Sequence, residues 1–313
     1  MNISVFLKLV EIQTKIASLF PFLLGVLFSA YYFSEFHLGN TLLFFVAMLL
    51  FDMTTTAINN LMDFKKAKDD NYRRNTNIIG QSGISEKSVV YLILFMLTLS
   101  TVLGILLVFQ TSILLLAIGA VSFGIGIFYT YGPIPISRTP LGEILSGLTM
   151  GFGIFFISVL INDVDHNLID ITFSGAQFLL SGNVLDIFAV FFVSLPTVFL
   201  IANIMLANNT CDLKEDIANH RFTLPFYIGK EKAVQLFNLL MYLCYIVIVL
   251  SVILGYLHPV MLGVLLTFPL VKKNLDTYNE KQVKQETFVV AIKNIVLFSS
   301  AEVLLLIFSL LLK

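Results

Sequence analysis

Two short stretches of this sequence gather oxygen ligands at spacings that suit metal chemistry. The first reads Asn59-Asn60-Leu61-Met62-Asp63-Phe64-Lys65-Lys66-Ala67-Lys68-Asp69-Asp70, and the second Asn208-Asn209-Thr210-Cys211-Asp212-Leu213-Lys214-Glu215-Asp216. Asn59 and Asp63 are four residues apart, and so are Asn208, Asp212 and Asp216 in turn. On a helix each set shares one face. Mg2+ takes oxygen ligands and is usually held by one or two carboxylates together with substrate phosphate. Asn59, Asp63 and Asp69 suit one ion; Asp212 and Asp216, with Asn208 or Asn209, suit a second; a diphosphate would bridge the two. Its negative charge calls for cations, and Lys15, Arg73, Arg74, Arg138, Lys214 and Arg221 are the candidates.

The elements that must position these residues are membrane helices. The chain has 313 residues, 58% of them hydrophobic and 12% charged, against about 25% charged in a soluble domain. A helix crossing a bilayer needs about 20 mostly apolar residues. Reading for such runs predicts an all-α integral membrane protein of nine spans, at roughly 15–34, 40–62, 88–109, 111–130, 141–162, 188–209, 233–255, 258–274 and 289–312. The runs continue throughout, so residues 1–313 read as one domain, a single bundle. No cleavable signal is expected, because residues 1–16 carry Lys8, Glu11 and Lys15 and no cleavage-site pattern.

Orientation follows from lysine and arginine. With nine spans and a cytoplasmic N-terminus, every Lys and Arg except Lys313 falls on the cytoplasmic side. The long loops after the second and sixth spans carry the two acidic stretches, so both face the cytoplasm of a multi-pass cell-membrane protein, with a bacterial inner membrane expected. The 163–187 loop has Asp163, Asp165, Asp170 and Asp186 but no Lys or Arg, which fits the outer face; its Gly175 and Gly182 suggest an irregular excursion. Asp52 lies inside the second run, where a charge needs a buried partner.

A third stretch, Tyr129-Thr130-Tyr131-Gly132-Pro133-Ile134-Pro135-Ile136-Ser137-Arg138-Thr139-Pro140-Leu141-Gly142-Glu143, joins the fourth and fifth spans. Its prolines end one helix and hold an extended loop. Arg138 is its sole basic residue, and Glu143 opens the next helix, where a carboxylate is favoured. A diphosphate at the rim of such a bundle places a lipid tail between the helices, and the 30 Phe and 11 Tyr suit an isoprenoid chain and an allylic cation.

Other classes fit less well. Basic residues sit in short loops beside spans, not in a nucleic-acid footprint. Two cysteines make no disulfide framework, and no Cys/His pattern matches zinc. A transporter would carry charges near the midplane, whereas here they gather at helix ends. No protein partner is evident.

The two acidic stretches resemble the motifs of the UbiA superfamily of intramembrane aromatic prenyltransferases: an Asn-Asp-x-x-Asp with a further Asp at residues 59–69, and Asp-x-x-x-Asp at 212–216. Within it, Tyr129-Thr130-Tyr131-Gly132-Pro133 with Gly142-Glu143, Asn208-Asn209 before Asp212, Arg221-Phe222-Thr223-Leu224-Pro225, and Thr14-Lys15 with Pro21 and Gly25 are similar to the branch acting on 1,4-dihydroxy-2-naphthoate in menaquinone synthesis. The resemblance implies two Mg2+ ions, a central cavity opening to lipid, a polyprenyl diphosphate donor and an aromatic acid acceptor. It implies metal ligation by Asn59, Asp63, Asp69, Asn208, Asp212 and Asp216, and diphosphate binding by Lys15, Arg74, Arg138 and Arg221. Asp63, Asp212, Arg138 and Tyr129 are the residues expected at the chemistry, whose product is demethylmenaquinone. A different acceptor, such as 4-hydroxybenzoate, leaves the metal reading unchanged. Asn60 stands where the family usually has Asp, and Ala67 where Gly is frequent. Asn60 keeps an oxygen but removes a charge, which implies weaker Mg2+ affinity.

Overall fold

In lipid every backbone polar group must be satisfied within the protein, which leaves long apolar runs only the helix. The computed structural model describes residues 1–67, 74–75, 77–133, 135–163 and 168–313, and is helical apart from one hairpin. Its helices are α1 (Ile3–Leu9), α2 (Ile16–Phe28), α3 (Leu38–Lys66), α4 (Ile78–Ser82), α5 (Glu86–Gln110), α6 (Leu114–Thr130), α7 (Gly142–Ser146), α8 (Ile154–Leu160), α9 (Val184–Cys211), α10 (Leu213–Ala218), α11 (Leu224–Ile228), α12 (Lys230–Ile253), α13 (Phe268–Glu280) and α14 (Val289–Leu312). Short polar caps start several of them. Asn183 Oδ1 accepts from Leu185 and Asp186 N–H, and the Ser85 hydroxyl accepts from Ser88 N–H.

Among the described residues seven helices are long and apolar enough to cross a membrane. The two remaining expected spans take other forms. The run at 111–130 becomes α6, whose 17 residues fall short of that length. The run at 258–274 becomes a 3-10 helix, Pro259–Thr267, continuing into α13, whose second half is polar. The loop after α8 also differs from expectation. It holds an antiparallel hairpin, β1 (Ile169–Ser174) with β2 (Gln177–Gly182), in register from Ile169 opposite Gly182 to Ser174 opposite Gln177. The glycine that suggested irregularity makes the turn: Gly175 sits at φ +62°, a backbone only glycine adopts without cost.

Side-chain contacts sort the helix ends. At one end Lys313 Nζ reaches the Tyr31 carbonyl and the Ser34 hydroxyl, the Tyr32 hydroxyl donates to Asp186, and the Ser112 hydroxyl donates to Asp170 of the hairpin. At the other lie Lys15, the end of α3, the α9–α10 junction and the α13–α14 loop. The largest core cluster packs α2, α8 and α9 against α12, the 259–280 segment and α14, through Phe28, Phe155, Phe237, Tyr278 and Phe298. A second joins α2, α3, α5, α6 and α8, and a third seats α1 and α4 on α3 and α5 through Leu9, Ala57, Ile79 and Met96.

Between α7 and α8 the helix widens into a π-helical stretch, Gly147–Gly153. A Cβ on Gly147 or Gly151 would lie 2.7 or 2.6 Å from the backbone of Val198, so these glycines set how closely α9 approaches.

Candidate active site

A cavity of about 1070 Å³ lies between α2, α3, α5 and α6 on one side and α7, α8 and α9 on the other. Its apolar body includes Phe44, Leu107, Leu115 and Ile157. Phe51 and Phe123 stack on its wall with ring centroids 4.0 Å apart. Gly126 makes room for them, since a Cβ there would meet the Phe51 ring at 2.8 Å. The polar end carries Glu11, Lys15, Asp52, Asn59, Asp63, Arg138, Asn208, Asp212, Glu215, Arg221 and Lys284.

α3 runs unbroken to Lys66, so Asn59 and Asp63 stay on one face and both line the cavity. Asp69 lies outside the described residues. Asn60 turns elsewhere. Its amide donates to the Leu9 carbonyl (2.9 Å) and to Glu11 Oε1 (3.2 Å), while Asn77 donates to the Asn60 carbonyl. The side chain thus ties α3 to the N-terminal segment. A carboxylate there could not donate and would face Glu11, which gives Asn60 a reason independent of metal affinity.

The second stretch is not one continuous helix. α9 ends at Cys211 and α10 begins at Leu213, with Asp212 at the break. Asn208 and Asp212 line the cavity, but past the break Glu215 replaces Asp216 on its wall. Asp216 is 4% exposed, with its Oδ1 3.3 Å from Arg221 Nε in an ion pair too bent to make a hydrogen bond there, and its Oδ2 has no hydrogen-bond partner. Burial raises the Asp216 carboxyl above its ordinary value; Arg221 opposes the shift and Asp212 adds to it. Asn209 is buried and donates to Glu143 Oε1 at 2.8 Å, fastening α9 to α7.

The expected cations divide. Arg138 and Arg221 line the cavity, and the Arg138 carbonyl accepts from Phe222 N–H, so the two loops hold each other. Arg74 and Lys214 are exposed and off the wall, and Arg73 lies outside the described residues. Lys15 is at the wall, but its ammonium is seated on Asp52 Oδ1 and the Thr56 hydroxyl, both at 2.6 Å, with Ser18 donating to Asp52 Oδ2. Asp52 thereby finds its buried partner. Tyr129 lines the cavity with its hydroxyl 3.4 Å from the Gly142 carbonyl.

In the sequence Lys284 reads as one more basic loop residue. It bonds Asn208 Oδ1 and, at 2.6 Å, Asp212 Oδ2. These oxygens are hard donors of the kind Mg2+ takes. Among the described residues no three His, Cys, Asp or Glu side chains converge on one point. A Mg2+ site completed by phosphate and water needs only one or two carboxylates, so Asn59 with Asp63, and Asn208 with Asp212, fit.

Comparison with known proteins agrees with this arrangement. Residues 18–295 match the model of the UbiA prenyltransferase family. The 1,4-dihydroxy-2-naphthoate octaprenyltransferase of Bacillus subtilis (strain 168) is 30% identical over 269 residues, 84% of this chain and 78% of that one. A UbiA homolog from Aeropyrum pernix K1 superposes with a TM-score of 0.70 at 15% identity, covering 93% of this chain and 98% of that one. One from Archaeoglobus fulgidus, bound to DMAPP and Mg2+, does so with a TM-score of 0.61 at 14% identity, covering 96% and 98%. With a match over most of its length, and a cavity carrying carboxylates and carboxamides at its polar mouth, the chain belongs to the UbiA prenyltransferase family.

Proposed function

We propose that this chain transfers a polyprenyl group from a polyprenyl diphosphate to 1,4-dihydroxy-2-naphthoate, with loss of CO2 and diphosphate. The direct product is the hydroquinone form of demethylmenaquinone. The acceptor is supported by the Bacillus subtilis relative, and the reaction class by the family. The observation that carries the metal requirement is the charge of the polar end. Its described wall has five acidic residues (Glu11, Asp52, Asp63, Asp212 and Glu215) and four basic ones (Lys15, Arg138, Arg221 and Lys284). Such a wall offers a diphosphate no surplus positive charge, so a divalent cation must accompany it.

Asn59 and Asp63 would hold one ion and Asn208 and Asp212 the other. Mg2+, when bound, supplies the Lewis acidity that lets diphosphate leave. Arg138 and Arg221 add charge to the departing oxygens, and Asp216 keeps Arg221 in place. The donor's C1–O bond breaks, the electron pair leaves with diphosphate, and the acceptor ring forms the new C–C bond as its carboxyl departs as CO2. The Phe51–Phe123 pair lies along the path of the tail, where aromatic faces stabilise an allylic cation by roughly 0.5–2 kcal/mol each. Tyr129, beside Gly142, is the proposed polar contact for the acceptor. The proposed topology is nine spans in one domain with a cytoplasmic N-terminus, which puts the polar end on the cytoplasmic side of the cell membrane.

Purified protein in lipid nanodiscs, given Mg2+, a polyprenyl diphosphate and 1,4-dihydroxy-2-naphthoate, is expected to yield the decarboxylated prenyl product by mass spectrometry. Product with 4-hydroxybenzoate but not with the naphthoate would overturn the acceptor. Product undiminished by EDTA would overturn the metal.

A further inference from the structure

Of the described residues C-terminal to Arg221, Lys284 alone reaches the cavity wall. Its partners are Asn208 Oδ1 and Asp212 Oδ2, and its ammonium also lies 5.1 Å from the Phe288 ring centroid. An ammonium is a compact point charge on a flexible stem. Mg2+ binds its oxygens at about 2.0–2.1 Å, so it cannot take these two while the ammonium holds them without strong like-charge repulsion at close range.

The backbone under Lys284 is held within its loop, while its side chain is partly exposed. Val283 N–H donates to the Thr287 hydroxyl, Thr287 and Glu286 N–H return to the Val283 carbonyl, and Lys281 pairs with Glu286. Thr287 is 1% exposed. The Lys284 side chain is 37% exposed, so its stem can swing without moving the loop.

We propose that Lys284 is a tethered counter-ion of the second acidic face, which yields Asn208 and Asp212 to the divalent cation and turns to the donor's diphosphate. Metal and diphosphate then bind as a pair: the metal alone must displace the lysine, whereas with diphosphate present the displaced ammonium gains an anionic partner. This rests on the reading of Asn208 and Asp212 as metal ligands.

The test measures Mn2+ binding to the purified full chain by electron paramagnetic resonance without donor, and inorganic diphosphate binding in saturating Mg2+ by calorimetry. Lys284→Met is expected to bind Mn2+ alone about tenfold tighter and diphosphate about tenfold weaker. Lys284→Arg, which keeps the charge, is expected to restore both toward the native values. Unchanged or weaker Mn2+ binding in Lys284→Met, while Asp212→Asn weakens it, would overturn the role of Lys284 and leave the metal ligands standing. No Mn2+ binding by either the native chain or Lys284→Met, or none lost in Asp212→Asn, would overturn both.

Discussion

Two lysine–aspartate pairs stand on the wall of the same cavity, and they are built differently. Lys15 and Asp52 are 7% and 14% exposed, and each has further partners: Thr56 for the lysine, Ser18 for the aspartate. Lys284 and Asp212 are 37% and 22% exposed, and the lysine's other partner is a residue expected to bind metal. The first pair satisfies a charge that would otherwise be stranded in the bundle. The second holds oxygens proposed above as metal ligands. A short N···O distance, 2.6 Å in both, does not distinguish the roles; burial and the remaining partners do.

Breaking each pair sharpens the contrast. Asp212→Ala, like Asp63→Ala, is expected to lower prenyl transfer by about 10²-fold or more, the equivalent of roughly 3 kcal/mol of transition-state stabilisation. Membrane insertion should be intact, as read by turnover against protein level in isolated membranes. Lys15→Met strands the Asp52 carboxylate and is expected to cost about 3–5 kcal/mol of stability, seen as a lowered thermal midpoint in detergent. Lys15→Met combined with Asp52→Leu should recover most of that midpoint, because no buried charge is left alone. Asn60→Asp loses two donated hydrogen bonds and sets a carboxylate beside Glu11, a loss of roughly 1–3 kcal/mol, with no gain in Mn2+ affinity. A tighter Mn2+ site in that variant would return position 60 to the metal. Lys284→Met, at a partly exposed pair, should cost the least stability, about 1 kcal/mol or less, and so give the smallest shift in thermal midpoint. A loss as large as that of Lys15→Met would make the second pair structural as well.

These contrasts bear on what was readable in the sequence. The membrane class followed from composition, and seven of the expected runs became helices of crossing length. The face shared by Asn59 and Asp63 was legible because α3 continues without interruption through both. The face expected for Asn208, Asp212 and Asp216 was not, because four-residue spacing assumes a continuous helix and the chain breaks at Asp212. Nothing local marks that break; no proline or glycine occurs between Asn208 and Asp216. Lys284 was hidden for another reason. Its charge already had an explanation in membrane orientation, and its partners lie 72 and 76 residues away. The hairpin had a visible signal, the alternation Ile169-Asp170-Ile171-Thr172-Phe173, but a short polar-flanked stretch between long spans reads as a connection.

The π-helical stretch at Gly147–Gly153 makes this part of the wall sensitive to length as well as to composition. Its two faces answer to different neighbours: Gly147 and Gly151 meet α9, while Thr149, Met150 and Gly153 line the cavity. A wide turn holds one residue more than an ordinary one. The turn closes to regular pitch if it loses a codon, but it already holds its extra residue, so a further codon inserted there would rotate every later residue of α8 by about 100° relative to α7. Both faces would then be lost together, the glycines swinging off Val198 and Ile157 off the cavity. A point substitution damages one contact in this segment, whereas an in-frame insertion would disturb them all.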